Sequence, residues 1–310
     1  MWKHGVTRQG KVRWYCRICK KSGIRKRPDV KQKKTDRLVI GWIIDGKKLK
    51  HLAKESGFRL QYVQQIIHSR LKTFKVPAHD QTIDPKRPLV LDATWIVWRN
   101  LIVLIANDCD RVIDWMFAPR ENFFVWNMFL ARLKGQPLGA VSDAQKGLLQ
   151  ALRMRFGDIP HQRCIAHITR QSRVWLTKNP KTDAGMSLLP LVNALHKIQT
   201  HSEKEAWNAS FDVWLQTYEI FLKEKTLGVG KSWWYTHQRL RWVRSLLLRA
   251  RKEMFTYLDH GLPSTTNHLE GGINGPLKFA FKEHRGLSVE HKKQVVNLFL
   301  NARARKKNQH

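Results

Sequence analysis

Short apolar runs separated by polar turns occupy the middle of the chain. Five of them predict β-strands, at residues 89–91, 101–106, 112–117, 138–141 and 162–165. Helical periodicity follows the third run, in 121–133, and the fourth run, through Leu148, Leu149 and Leu152. The predicted order is therefore strand, strand, strand, helix, strand, helix, strand. Such an order is typical of an α/β fold with a mixed sheet and flanking helices.

The pattern changes after residue 167. Long amphipathic stretches fill residues 168–262, which we interpret as an all-helical insertion. One stretch carries large apolar side chains at helical spacing: Trp207, Phe211, Trp214, Leu215, Tyr218 and Phe221. This stripe is most simply the core of the insertion, whereas Trp233 and Trp234, which follow a glycine-rich turn, are candidates for stacking on DNA bases. The remaining segment, 263–310, predicts a helix from Ser264 and a basic helix over 288–306.

Two amphipathic helices lie on either side of Gly57, within residues 36–80. Apolar positions at Leu49 and Leu52 face a second stripe at Val63 and Ile67, and the glycine permits a turn between them. The pattern predicts a helix-turn-helix, although any two short helices joined by a glycine look similar. The second helix would present five polar side chains to the major groove: Arg59, Gln61, Gln64, Gln65 and His68.

The charge of the chain favours a polyanionic partner. The formal net charge is +33, and residues 1–80 contain 22 Lys or Arg against 5 Asp or Glu, a net +17. Phosphates would neutralise this excess, so double-stranded DNA is the expected partner. No apolar stretch approaches the 18 residues of a membrane span, and no signal peptide is recognisable. We therefore expect a cytoplasmic, nucleoid-associated protein without a membrane partner.

The four cysteines do not form the framework of a secreted disulfide-rich protein. Cys16 and Cys19 have the Cys-x-x-Cys spacing of one zinc-ribbon knuckle, within a basic segment over residues 1–35. A structural zinc site needs four ligands, and the second Cys pair is missing. The two cysteines are thus either ligands of a partial Zn²⁺ site or part of a plain basic arm.

Three acidic residues stand out in a chain with 24 acids against 57 Lys and Arg. Asp92 and Asp143 each end an apolar run, and Glu270 lies in a later helical segment. Singly, each has an ordinary explanation, because Asp143 could cap the next helix and Glu270 could pair with a nearby cation. Together they suggest a catalytic site for phosphodiester transfer, in which carboxylates bind two Mg²⁺ (or Mn²⁺) ions.

The segment around Glu270 carries further candidates. Asn267, Glu270 and Asn274 are spaced i, i+3 and i+7, so a regular helix would direct all three towards the site. Gly271 and Gly272 weaken a helix, which suggests a close approach by neighbouring backbone or by DNA.

Several motifs together resemble bacterial insertion-sequence transposases of the Mutator-like superfamily, over nearly the whole chain. They are Leu91-Asp-Ala-Thr, Ser142-Asp-Ala-Gln-Lys-Gly, Gln162-Arg-Cys-Ile-Ala-His-Ile-Thr-Arg, Thr265-Thr-Asn-His-Leu-Glu-Gly-Gly-Ile-Asn and His284-Arg-Gly-Leu-Ser. Cys164 and His167 belong to the signature of that family, and we expect them to line the active site. Arg285, in the last motif, is a further candidate for DNA contact.

The resemblance implies a ribonuclease-H-like core formed by residues 87–167 and completed by 263–310. It also implies a DDE transposase, with Asp92, Asp143 and Glu270 as catalytic and metal-binding residues. Such an enzyme would nick transposon DNA at its terminal inverted repeats and join the freed 3′-hydroxyl to target DNA, as a homodimer or larger homo-oligomer. The alternative is a catalytically silent DNA-binding protein derived from a transposase.

Overall fold

The computed structural model describes residues 1–24, 28–230, 232–283 and 286–304, with backbone alone for residues 28–33, 268, 270 and 283. The chain divides into two compact units. One contains residues 1–75 and 279–299, and the other contains residues 76–278 and 300–310.

The first unit begins with an antiparallel three-stranded sheet. Its strands are β1 (Trp2–Val6), β2 (Val12–Tyr15) and β3 (Ser22–Ile24), with β2 in the middle. Cys16 and Cys19 lie in the turn between β2 and β3. Three helices follow: α1 (Pro28–Ile43), α2 (Leu49–Ser56) and α3 (Leu60–Thr73).

The two helices predicted around Gly57 are present as α2 and α3. Gly57 has a φ of +70°, the left-handed conformation that ends α2 at no steric cost to glycine. The buried side chains of the two helices are Leu52, Ala53, Val63, Ile67 and Leu71. The apolar faces therefore pack inward as their spacing indicates, and α1 adds Leu38, Val39 and Trp42 to the buried set.

The second unit is built on a five-stranded mixed sheet. In chain order, its elements are β4 (Pro88–Val97), β5 (Leu101–Asn107), β6 (Val112–Ala118), α4 (Phe123–Ala131), β7 (Gly139–Ser142), α5 (Lys146–Phe156) and β8 (His161–Arg163). The spatial order is β6-β5-β4-β7-β8. Strands β4, β5 and β6 pair antiparallel, whereas β4, β7 and β8 pair parallel. The predicted order of elements and the mixed sheet are confirmed.

One strand boundary differs from the prediction in a way that affects the site. We expected Asp92 to end its strand, but it lies in the middle of β4. The parallel pairing with β7 stops at Val90, while the antiparallel pairing with β5 continues to Val97. The residues after Asp92, rich in β-branched and aromatic side chains, extend the strand along β5 alone.

Helices α4 and α5 cover one face of the sheet. Leu89 and Leu91 of β4 are fully buried in a cluster with Trp126 and Phe129 of α4 and Leu148 of α5. Since successive side chains of a strand point to opposite faces, Asp92 points to the face away from these helices.

The described part of the insertion contains α7 (Asp183–Ala194), α8 (His201–Thr217), α9 (Gln238–Ala250) and α10 (Tyr257–His260), and α6 (Ile165–Leu176) leads into it from the sheet. The prediction that it is all-helical is wrong, because β9 (Lys225–Leu227) and β10 (Trp233–Tyr235) form an antiparallel hairpin. Threonine and aromatic residues on both sides of a glycine-containing turn favour strand pairing.

The aromatic stripe forms the core of the insertion, as predicted. Trp207, Phe211 and Trp214 are 4%, 0% and 4% exposed. The rings of Trp207 and Phe211 stack with centroids 5.2 Å apart. Trp233 and Trp234 of β10 are exposed, by contrast, so they do not belong to that core.

The C-terminal segment begins with α11 (Asn267–Leu269) and a π-helical turn (Glu270–Asn274), and continues through α12 (Gly275–Glu283) to α13 (Val289–Ala304). The predicted final helix is thus present over its described part. Its last two predicted residues, 305 and 306, lie outside the described residues. No helix in the described part of the chain has the length and apolar character needed to cross a bilayer.

Candidate active site

Asp92 and Asp143 each lie two residues beyond the last parallel pair of β4 and β7. The parallel register pairs Val90 of β4 with Val141 of β7. Asp92 continues along β4, which there pairs with β5 alone, whereas Asp143 lies in the turn directly after β7. The charges of both aspartates, 51 residues apart in sequence, act on Glu121 and His167.

The carboxylate of Asp92 is held by Asn274. The Asn274 side-chain amide donates to Asp92 Oδ2 at 2.7 Å, and the Ala93 N–H donates to Oδ1 at 2.9 Å. Asn274 is only 6% exposed. Its Oδ1 accepts no hydrogen bond from any described residue, which is unusual for a buried amide oxygen. The π-helical turn therefore brings a buried amide oxygen to the site that contains Asp92.

Asp143 directly follows the last residue of β7, as the sequence predicts. Its Oδ1 accepts the N–H of Gln145 at 3.0 Å, and the Gln145 side chain accepts from Leu148 N–H at the start of α5. Asp143 thus closes a local turn of the Asx type, and Gln145, rather than Asp143, caps α5.

A fourth acid, Glu121, belongs to the same electrostatic environment. It precedes Asn122, the N-cap of α4, and its Oε1 accepts the Trp126 indole N–H at 2.8 Å. Burial, aided by the charges of Asp143 and Asp92, raises the pKa of Glu121 to about 7 and outweighs the Trp126 hydrogen bond. Sequence reasoning missed Glu121. The signal available was an acid at the end of the β6 to α4 connection, next to the carboxyl end of the sheet.

Cys164 and His167 form a hydrogen-bonded pair at the start of α6. Burial disfavours the charged form of His167, but the Cys164 hydrogen bond and the negative charges of Cys164, Asp92 and Asp143 raise its pKa to about 9. Burial also opposes the thiolate of Cys164, yet His167 and Thr266 outweigh it and lower the Cys164 pKa. The raised pKa favours the cationic form of His167 in the field of the two aspartates, and the expectation that this pair lines the site stays a prediction.

Cys164 also fastens the C-terminal segment to the core. Its sulfur accepts the Thr266 N–H at 3.2 Å and lies 3.3 Å from Thr266 Oγ1. The N–H of Ile165 donates to Ser264 O at 3.0 Å. Residues 264–266, directly before α11, are thereby fixed at the N-terminus of α6.

The neighbourhood of Glu270 differs from a regular helix. Asn267 is exposed whereas Asn274 is buried, so the prediction that a regular spacing puts both on one face is wrong. The π-helical turn is the reason, because its i to i+5 bonding changes the angular spacing of side chains. The side chain of Glu270 lies outside what the structure describes, and Arg285 lies wholly outside the described residues.

The two glycines of this turn are not required by a close neighbour. Among the described residues outside the helix's own backbone, a Cβ added at Gly271 or Gly272 would meet no atom within 4 Å. The described part of the chain thus shows no close backbone approach at these glycines, and contact with DNA stays a prediction.

The N-terminal candidates lie in the first unit. Hydrogen bonds from the Cys19 N–H and side chain and from the Ile18 N–H lower the pKa of Cys16 and favour its thiolate. Among the described side chains, no three His, Cys, Asp or Glu residues are placed to share a metal ion. Zinc binding by Cys16 and Cys19 stays a prediction.

The candidate DNA-reading face lies along α3. Four of the five predicted side chains, Arg59, Gln61, Gln65 and His68, are exposed, and Gln64 is half-buried. His68 packs edge-on against His291 of α13, with ring centroids 5.0 Å apart. Most of the predicted set is thus accessible to a partner.

Fold and site together define an α/β protein built on a mixed sheet. The protein carries a carboxylate site, and a large insertion follows the last strand of the sheet. Residues 95–233 match the profile of the Mutator family of transposases. The matched region includes Asp143, Cys164 and His167. This part of the chain is therefore similar to Mutator-family transposases.

Individual transposases are similar to parts of the chain. The chain is 24% identical over 224 residues to the transposase for insertion sequence element ISRM5 of Rhizobium meliloti, which covers 66% of this chain and 56% of that protein. It is 32% identical over 94 residues to the transposase for IS1201 of Lactobacillus helveticus, which covers 26% of each. It is 34% identical over 76 residues to the transposase for IS256 in transposon Tn4001 of Staphylococcus aureus, which covers 23% of this chain and 20% of that protein. The matched segments thus span little more than half of these relatives at most.

Proposed function

We propose that this chain is a DDE transposase that cleaves insertion-sequence DNA ends and transfers the cut strand to target DNA. The observation that carries the proposal is that Asp92 and Asp143, each two residues beyond the last pair of the parallel strands β4 and β7, both act electrostatically on Glu121 and His167. The sheet order supports a ribonuclease-H-like core, in which such acids serve phosphodiester chemistry. Glu270, in the turn that ends at Asn274, is the proposed third acid.

The oxygen donors present suit Mg²⁺ or Mn²⁺. Asp92 and Asp143 supply carboxylates, and the buried Oδ1 of Asn274, which accepts no hydrogen bond from a described residue, is a further hard oxygen. When bound, two such ions would neutralise charge on the attacking and leaving oxygens. Asn274 orients Asp92 for this role through its 2.7 Å hydrogen bond.

Two other groups act on the DNA in this proposal. His167, whose pKa is raised to about 9, is positively charged at neutral pH and would attract the scissile phosphate. Glu121, whose pKa is raised to about 7, can exchange a proton near neutral pH beside the two aspartates.

The first unit is the proposed end-recognition module. Helices α2 and α3 with the left-handed Gly57 would form a helix-turn-helix, and the exposed Arg59, Gln61 and Gln65 would read base edges in the terminal inverted repeats. The high positive charge supports binding to double-stranded DNA in the nucleoid. Pairing of two DNA ends would require a homodimer or a larger assembly.

Strand transfer with labelled DNA ends tests this function. Wild-type protein with Mg²⁺ should nick and join ends that carry the inverted repeats, whereas Asp92→Asn and Asp143→Asn should bind DNA and lose both reactions. The matched control is Asp183→Asn, at the exposed start of α7 in the insertion, which should keep activity. If wild-type protein binds the ends but joins them no better than the two variants, the chain is a catalytically silent DNA-binding protein instead.

A further inference from the structure

A chain of hydrogen bonds runs from the insertion to the turn that contains Asp143. Glu253, after α9, lies 3.2 Å from His161 Nδ1 through its Oε2. His161 Nε2 lies 2.9 Å from Ser142 Oγ. Ser142 Oγ in turn accepts the Ala144 N–H at 3.1 Å. Side chains separated by 92 and 19 residues in sequence thus connect end to end.

The chemistry of the carboxylate fixes the direction of one of these bonds. The hydrogen bond from His161, opposed by burial, lowers the pKa of Glu253, so its carboxylate is ionised and can only accept. His161 Nδ1 therefore carries a proton and donates it to Glu253. Ser142 Oγ accepts the Ala144 N–H and shares a second hydrogen bond with His161 Nε2, whose direction depends on the His161 tautomer.

This network supports a backbone conformation that L-residues disfavour. Ala144 has a φ of +62°, in the left-handed region. Strained positions of this kind persist only where surrounding contacts hold them, and they concentrate at functional sites. Asp143 lies between Ser142 and Ala144, so the bonds that hold this turn also set the direction of the Asp143 carboxylate.

The arrangement does not form a serine hydrolase site, although serine, histidine and glutamate occur in series. Ser142 is fully buried, and its hydroxyl is engaged on both sides. A nucleophile requires access to a substrate carbonyl, which this serine lacks. The remaining role of this series of hydrogen bonds is to support the backbone of the turn that contains Asp143.

Glu253 is anchored independently of its side chain. Its carbonyl oxygen accepts the Arg163 N–H of β8 at 2.9 Å. Gln162, next in β8, donates to Met254 O at 2.9 Å and accepts the Tyr257 N–H at 2.9 Å. The end of the insertion is thus fixed to the edge of the sheet by the main chain, so a change of the Glu253 side chain should leave the fold intact.

We propose that Glu253 and His161 are positioning residues for Asp143, through which the insertion sets the geometry of the second metal-binding carboxylate. The proposal rests on the proposed function for the identity of the ligand that Asp143 binds. It goes beyond that function because it assigns a role in the active site to a residue of the insertion that does not touch the DNA or the metal.

The test is Mn²⁺ binding by the purified full chain, measured by electron paramagnetic resonance, with strand cleavage measured in parallel. Glu253→Met has a similar shape but cannot accept the His161 proton. It should weaken Mn²⁺ binding about tenfold, as loss of outer hydrogen-bond partners does at metal sites. Glu253→Gln can still accept from His161 and should restore most of the affinity.

The matched control is Glu224→Met. Glu224 forms the same kind of pair with His237, at 2.8 Å, elsewhere in the insertion and without a described link to Asp143. This variant should bind Mn²⁺ as the wild type does. Equal Mn²⁺ affinity in Glu253→Met and wild type would overturn the proposal, as would equal weakening in both methionine variants.

A readout without metal separates this proposal from the proposed function. Hydrogen exchange at the Ala144 amide should accelerate in Glu253→Met and not in Glu224→Met, because the acceptor of that amide is no longer held. If Asp143→Asn leaves Mn²⁺ binding unchanged, the metal role of Asp143 fails. An unchanged Ala144 exchange rate in Glu253→Met would instead show that the hydrogen-bond chain does not hold the turn.

Discussion

Replacement of Glu121 by glutamine should stabilise the protein at pH 8 and have little effect at pH 5. The pKa of Glu121 is raised from 4.5 to about 7, chiefly by burial. The folded state therefore retains a proton that the unfolded state releases between these pH values, and stability falls as pH rises through this window. A pKa raised this far corresponds to about 3 kcal/mol. Since the side chain is partly exposed, we expect about 2 kcal/mol.

Glutamine is the informative replacement because it keeps the shape and the acceptor of the Trp126 indole N–H at 2.8 Å, and removes only the charge. For a unit of this size, about 2 kcal/mol corresponds to a rise in Tm of roughly 4–8 °C at pH 8. Thermal unfolding should be followed in the presence of a chelator, so that no divalent ion compensates the acids.

The matched control is Glu205→Gln, at an exposed position of α8, which should change Tm little at either pH. A Tm difference between Glu121→Gln and wild type that is the same at pH 5 and pH 8 would refute the reasoning, because a burial effect on the charged form must vanish where Glu121 is protonated. A lower Tm at pH 8 would show that the carboxylate is stabilising in the folded state.

Three further predictions concern other parts of the chain. Gly57→Ala should destabilise the first unit by about 1 kcal/mol, because φ is +70° while a Cβ would meet no atom within 4 Å; urea unfolding measures this, and no loss would contradict the backbone argument. Phe211→Ala should cost about 3–5 kcal/mol in the core of the insertion, seen as a lower Tm, whereas Val213→Ala at an exposed position should cost little. Cys164→Ala should lower the pKa of His167 from about 9, measured by NMR titration of the imidazole; an unchanged value would leave the aspartates as its cause.

The sheet and its order could be predicted because burial acts locally on sequence. Strands buried on both faces, such as β5, appear as unbroken apolar runs, and the helices between them appear as 3.6-residue periodicity. The same reasoning misplaced the end of β4, because it read a strand end from the first polar residue. Asp92 is a polar residue inside a strand, and only the pairing partners distinguish the two cases.

The acid site could be predicted in part. Asp92 and Asp143 stand out because each ends an apolar run, and each lies two residues beyond the last pair of the parallel strands β4 and β7. Asn274 was named as a lining residue, but its bond to Asp92 depends on a π-helical turn that regular helical spacing cannot anticipate. The double glycine within this turn is the sequence feature that indicates an irregular helix. Our sequence analysis instead attributes it to a close approach by backbone or DNA.

The insertion connects to the sheet at β8. This connection gives the insertion an indirect route to the acid site. The insertion leaves the sheet after β8 and returns to the edge of the same strand, where Glu253 O accepts the Arg163 N–H. Strand β8 pairs with β7, whose last residue, Ser142, precedes Asp143. A displacement of the insertion on binding a partner would therefore act first on His161 and Ser142, and through them on Asp143. A catalytic carboxylate works only within a narrow range of orientations, which the hydrogen-bonded turn sets. A small shift at Glu253 should therefore be enough to change the orientation of the Asp143 carboxylate towards its ligand.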